Sequence, residues 1–233
     1  MPKLVITKED VAKTLEAREK LLQKYVKYEN TLGHLFTIEH PQNVNYQEAL
    51  EKARRLNSSY STHIIDIEAV ANHIVGIKKV DDRIKDGDPT VVHEIAQVFH
   101  GDKKINHFSF ATKYCSFHNP ASFPIYDKYL YQVFSQLRSV LDCGPYREET
   151  IKQKDWNGEK DCGYLRYKKV YDRFIELYGD AFPSKDYRTI DHYIWTSRKI
   201  ASMNQENKLA EKYPEPYYLV KSNAINSFMK ETH

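Results

Sequence analysis

Three cysteines, eight glycines and no long apolar run set the first limits on this 233-residue chain. Cys115, Cys143 and Cys162 are odd in number and have no C-x-x-C spacing, so they supply neither a disulfide frame nor a closed zinc site. An iron–sulfur cluster would want a fourth thiolate. The scarcity of glycine argues against a glycine-rich phosphate loop and against an all-β protein built on tight turns. No stretch approaches the roughly 18 apolar residues of a membrane span. The opening Met1-Pro-Lys-Leu-Val-Ile-Thr is too short an apolar run for a secretory leader, so a cytoplasmic protein without a membrane partner is expected. Ten histidines form neither H-E-x-x-H nor a paired H-x-H, and His63, His73 and His93 are scattered, so no metal site is expected.

What is present is a folded-protein composition. Hydrophobic residues make up 41% and charged residues 29%, enough for one large core under a solvated surface. Tyrosine is abundant at 18 residues, which gives both core and stacking surfaces. The net charge of +3 permits nucleic-acid binding without demanding it. No repeat, low-complexity segment or linker divides the chain.

Every long element reads as helix. Thr7 caps the first, with Asp10 as its partner three residues on, and Val11, Leu15, Leu22 and Val26 carry a helical period to about Asn30. Further helices are expected over Tyr46–Leu56, over Asp66–Lys85 with Gly76 as a potential break, and over Thr90–Phe99. Phe108–Phe117, Tyr126–Leu141, Tyr164–Tyr178 and a helix from Ser184 or Asp186 to about Met203 follow, with residues 142–161 as a polar loop and a short last helix after Tyr213-Pro-Glu-Pro. The fold class is therefore all-α. It reads as one domain over 1–233, or as two helical subdomains, about 1–100 with the C-terminus and 101–200, with a cleft between them.

The stretch from Phe108 to Phe134 is the informative one. A helix containing Ala111-Thr112-Lys113 is stopped by His118-Asn-Pro, and Phe123-Pro124-Ile125-Tyr126-Asp127 then leads into the next helix. Asp127 falls on that helix's first turn, where unpaired backbone N–H groups and the helix dipole favour a carboxylate. An ordinary capping aspartate is one reading of it.

The other reading comes from a resemblance. Phe-Pro-Ile-Tyr-Asp-x-x-Leu-x-x-Val resembles the element that carries the catalytic aspartate in the helix-hairpin-helix DNA glycosylase superfamily. The resemblance implies a compact helical glycosylase-like fold with a helix-hairpin-helix-like element. It implies Asp127 as the catalytic carboxylate and Lys113, at the start of the second hairpin helix, as a Schiff-base lysine of the bifunctional kind. No cofactor is implied, and the partner is duplex DNA bearing a flipped-out nucleotide, engaged by a monomer. The closely matching part covers about an eighth of the chain. It departs from the family in two ways. Ile105-Asn-His-Phe-Ser-Phe-Ala stands where the family has a glycine-bearing hairpin, and the Lys113-to-Asp127 spacing is about one helical turn short. Asn106, His107 and Ser109 would then replace backbone contacts to a phosphate. Lys103, Lys104 and Lys128 would add phosphate contacts, with Lys160, Arg166, Lys168, Lys169 and Arg173 as a second basic stretch. Phe110, His118, Tyr126 and Tyr129 would hold the base. Tyr187-Arg-Thr-Ile-Asp191-His-Tyr-Ile-Trp195 is similar to a closing helix in distant relatives.

The expected activity is excision of a damaged base, or of a deliberately modified base as in phage DNA, with or without strand cleavage. Two rivals stand beside it: a non-catalytic helical module that binds DNA or protein, and a nucleoside hydrolase.

Overall fold

A computed structural model describes residues 5–142 and 146–205. Cys143 and the expected last helix lie outside them. The described chain is mostly helical, with one two-stranded sheet. No helix among the described residues is long and apolar enough to cross a membrane.

The expected first helix is two. Helix α1 (Lys8–Leu21) begins as the sequence indicates: Asp10 N–H donates to Thr7 Oγ1 at 3.1 Å, and the Thr7 hydroxyl returns a bond to Asp10 Oδ2. Leu22 then leaves helical geometry at φ −119°, ψ 30° and buries its side chain, and α2 (Gln23–His34) sets off from it. A single π-turn over Leu35–Glu39 closes α2. Helix α3 (Tyr46–Tyr60) is capped by Asn45 and ends at Ser61 in the left-handed region. The segment expected to form one helix from Asp66 divides after Gly76, as its glycine suggested, into α4 (Ile67–Gly76) and α5 (Val80–Lys85).

The main departure from an all-helical chain follows. Helix α6 (Thr90–Ala96) stops short of Phe99, and β1 (Gln97–His100) pairs antiparallel with β2 (Lys103–Asn106), Gln97 opposite Asn106 and His100 opposite Lys103. Gly101 turns the hairpin at φ 61°, a conformation glycine adopts without steric penalty. A β-hairpin therefore stands between α6 and α7 (Phe108–His118), where a helical hairpin was expected. Lys113 is correspondingly not at a helix start but in the second turn of α7.

Nine of the eleven residues of α7 are buried, so this helix is the axis of the core. Helices α8 (Lys128–Gln136) and α9 (Arg138–Leu141) replace one expected helix, and α10 (Glu148–Lys152) occupies part of the expected loop. Helix α11 (Gly163–Tyr178) and α12 (Tyr187–Gln205) follow, with α12 packed on α1 and α8. One buried cluster runs through the whole, from Val11 of α1 to Ile194 of α12.

Tyrosines of α11 hold the turn before α8. The hydroxyl of Tyr164 donates to Pro124 O at 2.9 Å and that of Tyr167 to Ile125 O at 2.7 Å. The Tyr126 N–H donates to Thr112 Oγ1 at 3.1 Å. Three successive residues of an irregular segment thus have a backbone polar group satisfied from inside the core, which fixes the entry to α8. Edge-to-face packing of Phe134 on Tyr171, with centroids 4.8 Å apart, seats α8 on the same helix.

Where α10 meets α11 there is no room for a side chain. A Cβ on Gly163 would lie 2.2 Å from Ile151 O and 2.3 Å from Thr150 O. Both atoms are backbone, so the elements must separate to admit it. Gly163→Ala should therefore cost about 2–3 kcal/mol and lower the melting temperature by several degrees. An unchanged melting temperature would mean that α10 is not seated against α11.

Candidate active site

Lys113 and Asp127 line one cavity of about 400 Å³. Tyr25, Tyr28 and Glu29 reach it from α2, and Tyr60 and its neighbours from the end of α3. Tyr129 contributes from α8, and Asp191, His192 and Trp195 from α12. The volume is that of an ordinary small-molecule site.

Asp127 is the N-cap of α8. Its backbone is extended (φ −132°, ψ 151°), and the Tyr129 N–H donates to its Oδ1 at 2.7 Å. This bond fixes the carboxylate at the helix terminus. The capping and functional readings of this residue are thus compatible: the cap holds the acid in the cavity wall.

The Lys113 side chain runs back along α7. Its Nζ donates to Ser109 Oγ at 2.7 Å, Ser109 O at 3.3 Å and Tyr126 O at 2.8 Å, and sits 5.5 Å from the Tyr60 ring centroid. The residue is only 3% exposed. Burial lowers its pKa, against the pull of the Asp127 and Asp191 charges. A lysine needs such a shift to act as a nucleophile at neutral pH.

Beside this pair lies a network that local sequence patterns do not show. Glu29 accepts from Arg18 Nη2 at 2.5 Å, from the Tyr60 hydroxyl at 3.0 Å, and lies 2.8 Å from His192 Nε2. Burial would raise its pKa, but the His192 hydrogen bond and charge, with Arg18 and Arg188, hold it at about 2. Asp191 differs. It is 7% exposed, and its Oδ1 is buried with no hydrogen-bond partner among the described residues. Burial, with the Glu29 and Asp127 charges, pushes it up to about 7 against His192 and Arg188. Ligand atoms of Glu29, Asp191 and His192 lie within 4.8 Å of one another. The Arg18 guanidinium already occupies the Glu29 carboxylate, so this trio is an ion-pair network and a poor seat for a metal cation.

The remaining site expectations divide. Tyr129 lines the cavity with Lys113 and Asp127. Three others do not. Phe110 is a core residue packed on Tyr114. The His118 ring lies against Phe36, with Nε2 3.3 Å from Lys52 Nζ, and burial with the Lys52 charge pushes its pKa down to about 3. Tyr126 turns its ring onto Phe108 and donates its hydroxyl to Glu148 at 2.7 Å, so only its carbonyl serves the site. Ser109 holds the Lys113 amine and is not a surface phosphate ligand. Asn106 donates to Lys152 O at 3.1 Å, and His107 lies against His100, so both are engaged inside the protein. Lys103 and Lys104 are exposed on β2, and Lys128 is exposed at the start of α8. In the second basic stretch, Arg166 is paired with Asp161 and Arg173 with Glu176. Tyr25, Tyr28, Glu29, Tyr60 and His192 were not foreseen. Their one local signal is the i, i+3, i+4 grouping of Tyr25, Tyr28 and Glu29 on a single face of α2.

Residues 9–122 match the HI_0787_N family, described as an N-terminal domain. The match runs from α1 through α7 and includes Lys113; Asp127 and Asp191 lie beyond it. An uncharacterized protein of Haemophilus influenzae is 37% identical over 139 residues. That alignment spans 60% of this chain and 60% of the Haemophilus protein. No solved structure matches.

Proposed function

We propose that this chain is a DNA N-glycosylase that removes a damaged or modified base, with Lys113 as nucleophile and Asp127 as the carboxylate that stabilises charge on the sugar. The observation that carries the reading is the shared cavity: a buried amine, an N-cap carboxylate and aromatic walls at one place. Breaking an N-glycosidic bond builds positive charge at C1′ of the sugar, and a fixed carboxylate lowers the energy of that state. The amine can attack C1′ and go on to a Schiff base, which permits strand cleavage. Tyr25 and Trp195, packed edge to face with centroids 5.0 Å apart, and Tyr129 offer ring surfaces for a base that has left the stack. Lys103, Lys104 and Lys128 are exposed and can meet phosphates. The resemblance of Phe123–Asp127 to the helix-hairpin-helix glycosylases supports the same assignment.

The test is a panel of duplex oligonucleotides with damaged and modified bases, including hydroxymethylated and glucosylated cytosine, scored for alkali-labile abasic sites. Wild type should open at least one of them. Asp127→Asn should reduce base release by about a hundredfold or more. It should melt within about 1 kcal/mol of wild type, because asparagine caps a helix as well as aspartate. Abasic sites formed equally by Asp127→Asn would remove Asp127 from the mechanism. Their absence on every duplex, with no binding at low salt, would overturn the glycosylase reading.

A further inference from the structure

Lys113 must lose a proton before it can attack, and none of its three hydrogen-bond acceptors can keep one. Ser109 O and Tyr126 O are peptide carbonyls, and Ser109 Oγ is a neutral hydroxyl. The proton has to pass to another group of the cavity. Two carboxylates line it with Lys113. Asp127 already uses its Oδ1 to cap α8, accepting the Tyr129 N–H at 2.7 Å. Asp191 has the opposite surroundings. Its Oδ1 is shut away from water and has no hydrogen bond among the described residues, so of the two acids it gains more from a proton. The groups whose charges act on it are Lys113 of α7, Asp127 at the start of α8, Glu29 of α2, and His192 and Arg188 of its own helix.

We propose that Asp191 is a further catalytic residue: it takes the proton Lys113 sheds and delivers it to the departing base. The inference rests on the glycosylase reading. The step begins with one Nζ–H bond of the Lys113 ammonium breaking as a bond from that proton to the Asp191 carboxylate, which lines the same cavity, forms. The freed lone pair on Nζ makes the bond to C1′ while the bond from C1′ to the base nitrogen breaks. The electron pair of that bond leaves with the base, and the base nitrogen takes the proton from Asp191. The products are a cationic secondary amine on the sugar, an ionised Asp191 and a neutral base, so charge and atoms balance without an oxidant or reductant. Asp127 takes no proton in this step and faces the charge on the sugar. Two carboxylates thus divide the work by environment, one capping α8, the other buried and exchanging a proton.

The experiment compares wild type, Asp191→Asn and Asp191→Glu on whichever duplex the panel identifies. It measures single-turnover base release and borohydride trapping between pH 5 and pH 9. Asp191→Asn should lose about a hundredfold or more in rate, the usual span for a missing acid–base group. The acidic limb of the wild-type profile, where Asp191 ionises, should flatten. Asp191→Glu should keep part of the rate with the limb displaced, and this variant carries the test should the asparagine variant fold poorly. A rate within about threefold of wild type in Asp191→Asn, or a lowered rate on an unchanged limb, would overturn the relay while leaving Lys113 and Asp127 in place. Wild type without base release on any duplex would overturn both readings.

Discussion

In a Lys113→Met variant, borohydride trapping to DNA should disappear and base release should fall by about a thousandfold or more, while the protein stays folded. Loss of a nucleophile that no neighbour replaces carries a penalty of that size. The second half of the expectation follows from what the amine leaves behind. Ser109 O still accepts the Thr112 hydroxyl at 3.1 Å, and Tyr126 O still lies 3.4 Å from the Ser109 hydroxyl. No acceptor is stranded. The variant also removes an amine that burial disfavours as an ammonium ion and puts an apolar chain of similar length among Tyr60 and Ile125. Stability should stay within about 1 kcal/mol of wild type. A charged side chain kept at a place where an apolar one would do as well for the fold is what a site selected for chemistry looks like. Two melting curves and one trapping gel decide the matter. A melting temperature that collapses would make Lys113 a structural group, and trapping that survives would place the nucleophile elsewhere.

The parts legible in the sequence were those whose determinants are local. Thr7 with Asp10, and Asp127 before α8, are caps that need only the residues beside them. The Pro124 turn is local in the same sense, whereas Lys113 was singled out by the resemblance to the glycosylases and not by its neighbours. The hairpin of β1 and β2 was not legible, because Val98 and Phe99 extend the apolar run of α6 and only pairing across Gly101 turns them into a strand. The cavity walls failed for a different reason. Phe110, His118 and Tyr126 were near Asp127 in sequence, but Phe110 and His118 of α7 pack on Tyr114 and Phe36, and Tyr126, in the turn before α8, lays its ring on Phe108. The residues that do line the cavity come together over distance, as with Glu29 and His192, 163 positions apart. Nothing local marks Asp191 as buried without a partner either; that follows from α12 packing on α1 and α8.

The stability difference between Asp191→Asn and wild type should depend on pH in a direction that the wild-type carboxyl fixes. The Asp191 carboxyl is raised from 3.8 to about 7 in the folded state, chiefly by burial. A raised carboxyl binds its proton more tightly folded than unfolded. Its contribution is therefore fully present below about pH 4, is lost as pH rises through 7, and is flat above that. Glu29 carries the opposite sign. It is lowered from 4.5 to about 2, so its contribution is present above pH 4.5 and is lost as pH falls toward 2. The two neighbours together favour the folded state most near pH 4 to 5. Wild type should then lose roughly 2–4 kcal/mol of this contribution between pH 4.5 and pH 8, at about 1.4 kcal/mol for each tenfold difference in proton affinity between the folded and unfolded chains. Asparagine has no such proton to lose. Asp191→Asn should match wild type near pH 4.5 and exceed it at pH 8. Urea unfolding of both proteins at pH 4.5, 6 and 8 measures the difference. A gap that stays constant across the three would mean that Asp191 is ionised in the folded state throughout. Such a result would also take away its capacity to hold the lysine's proton, so a stability curve alone bears on the relay before any substrate is found. If the gap opens as expected, the buried acid destabilises the protein at the pH where the proposed reaction would need it, a cost that a capping or packing role leaves unexplained.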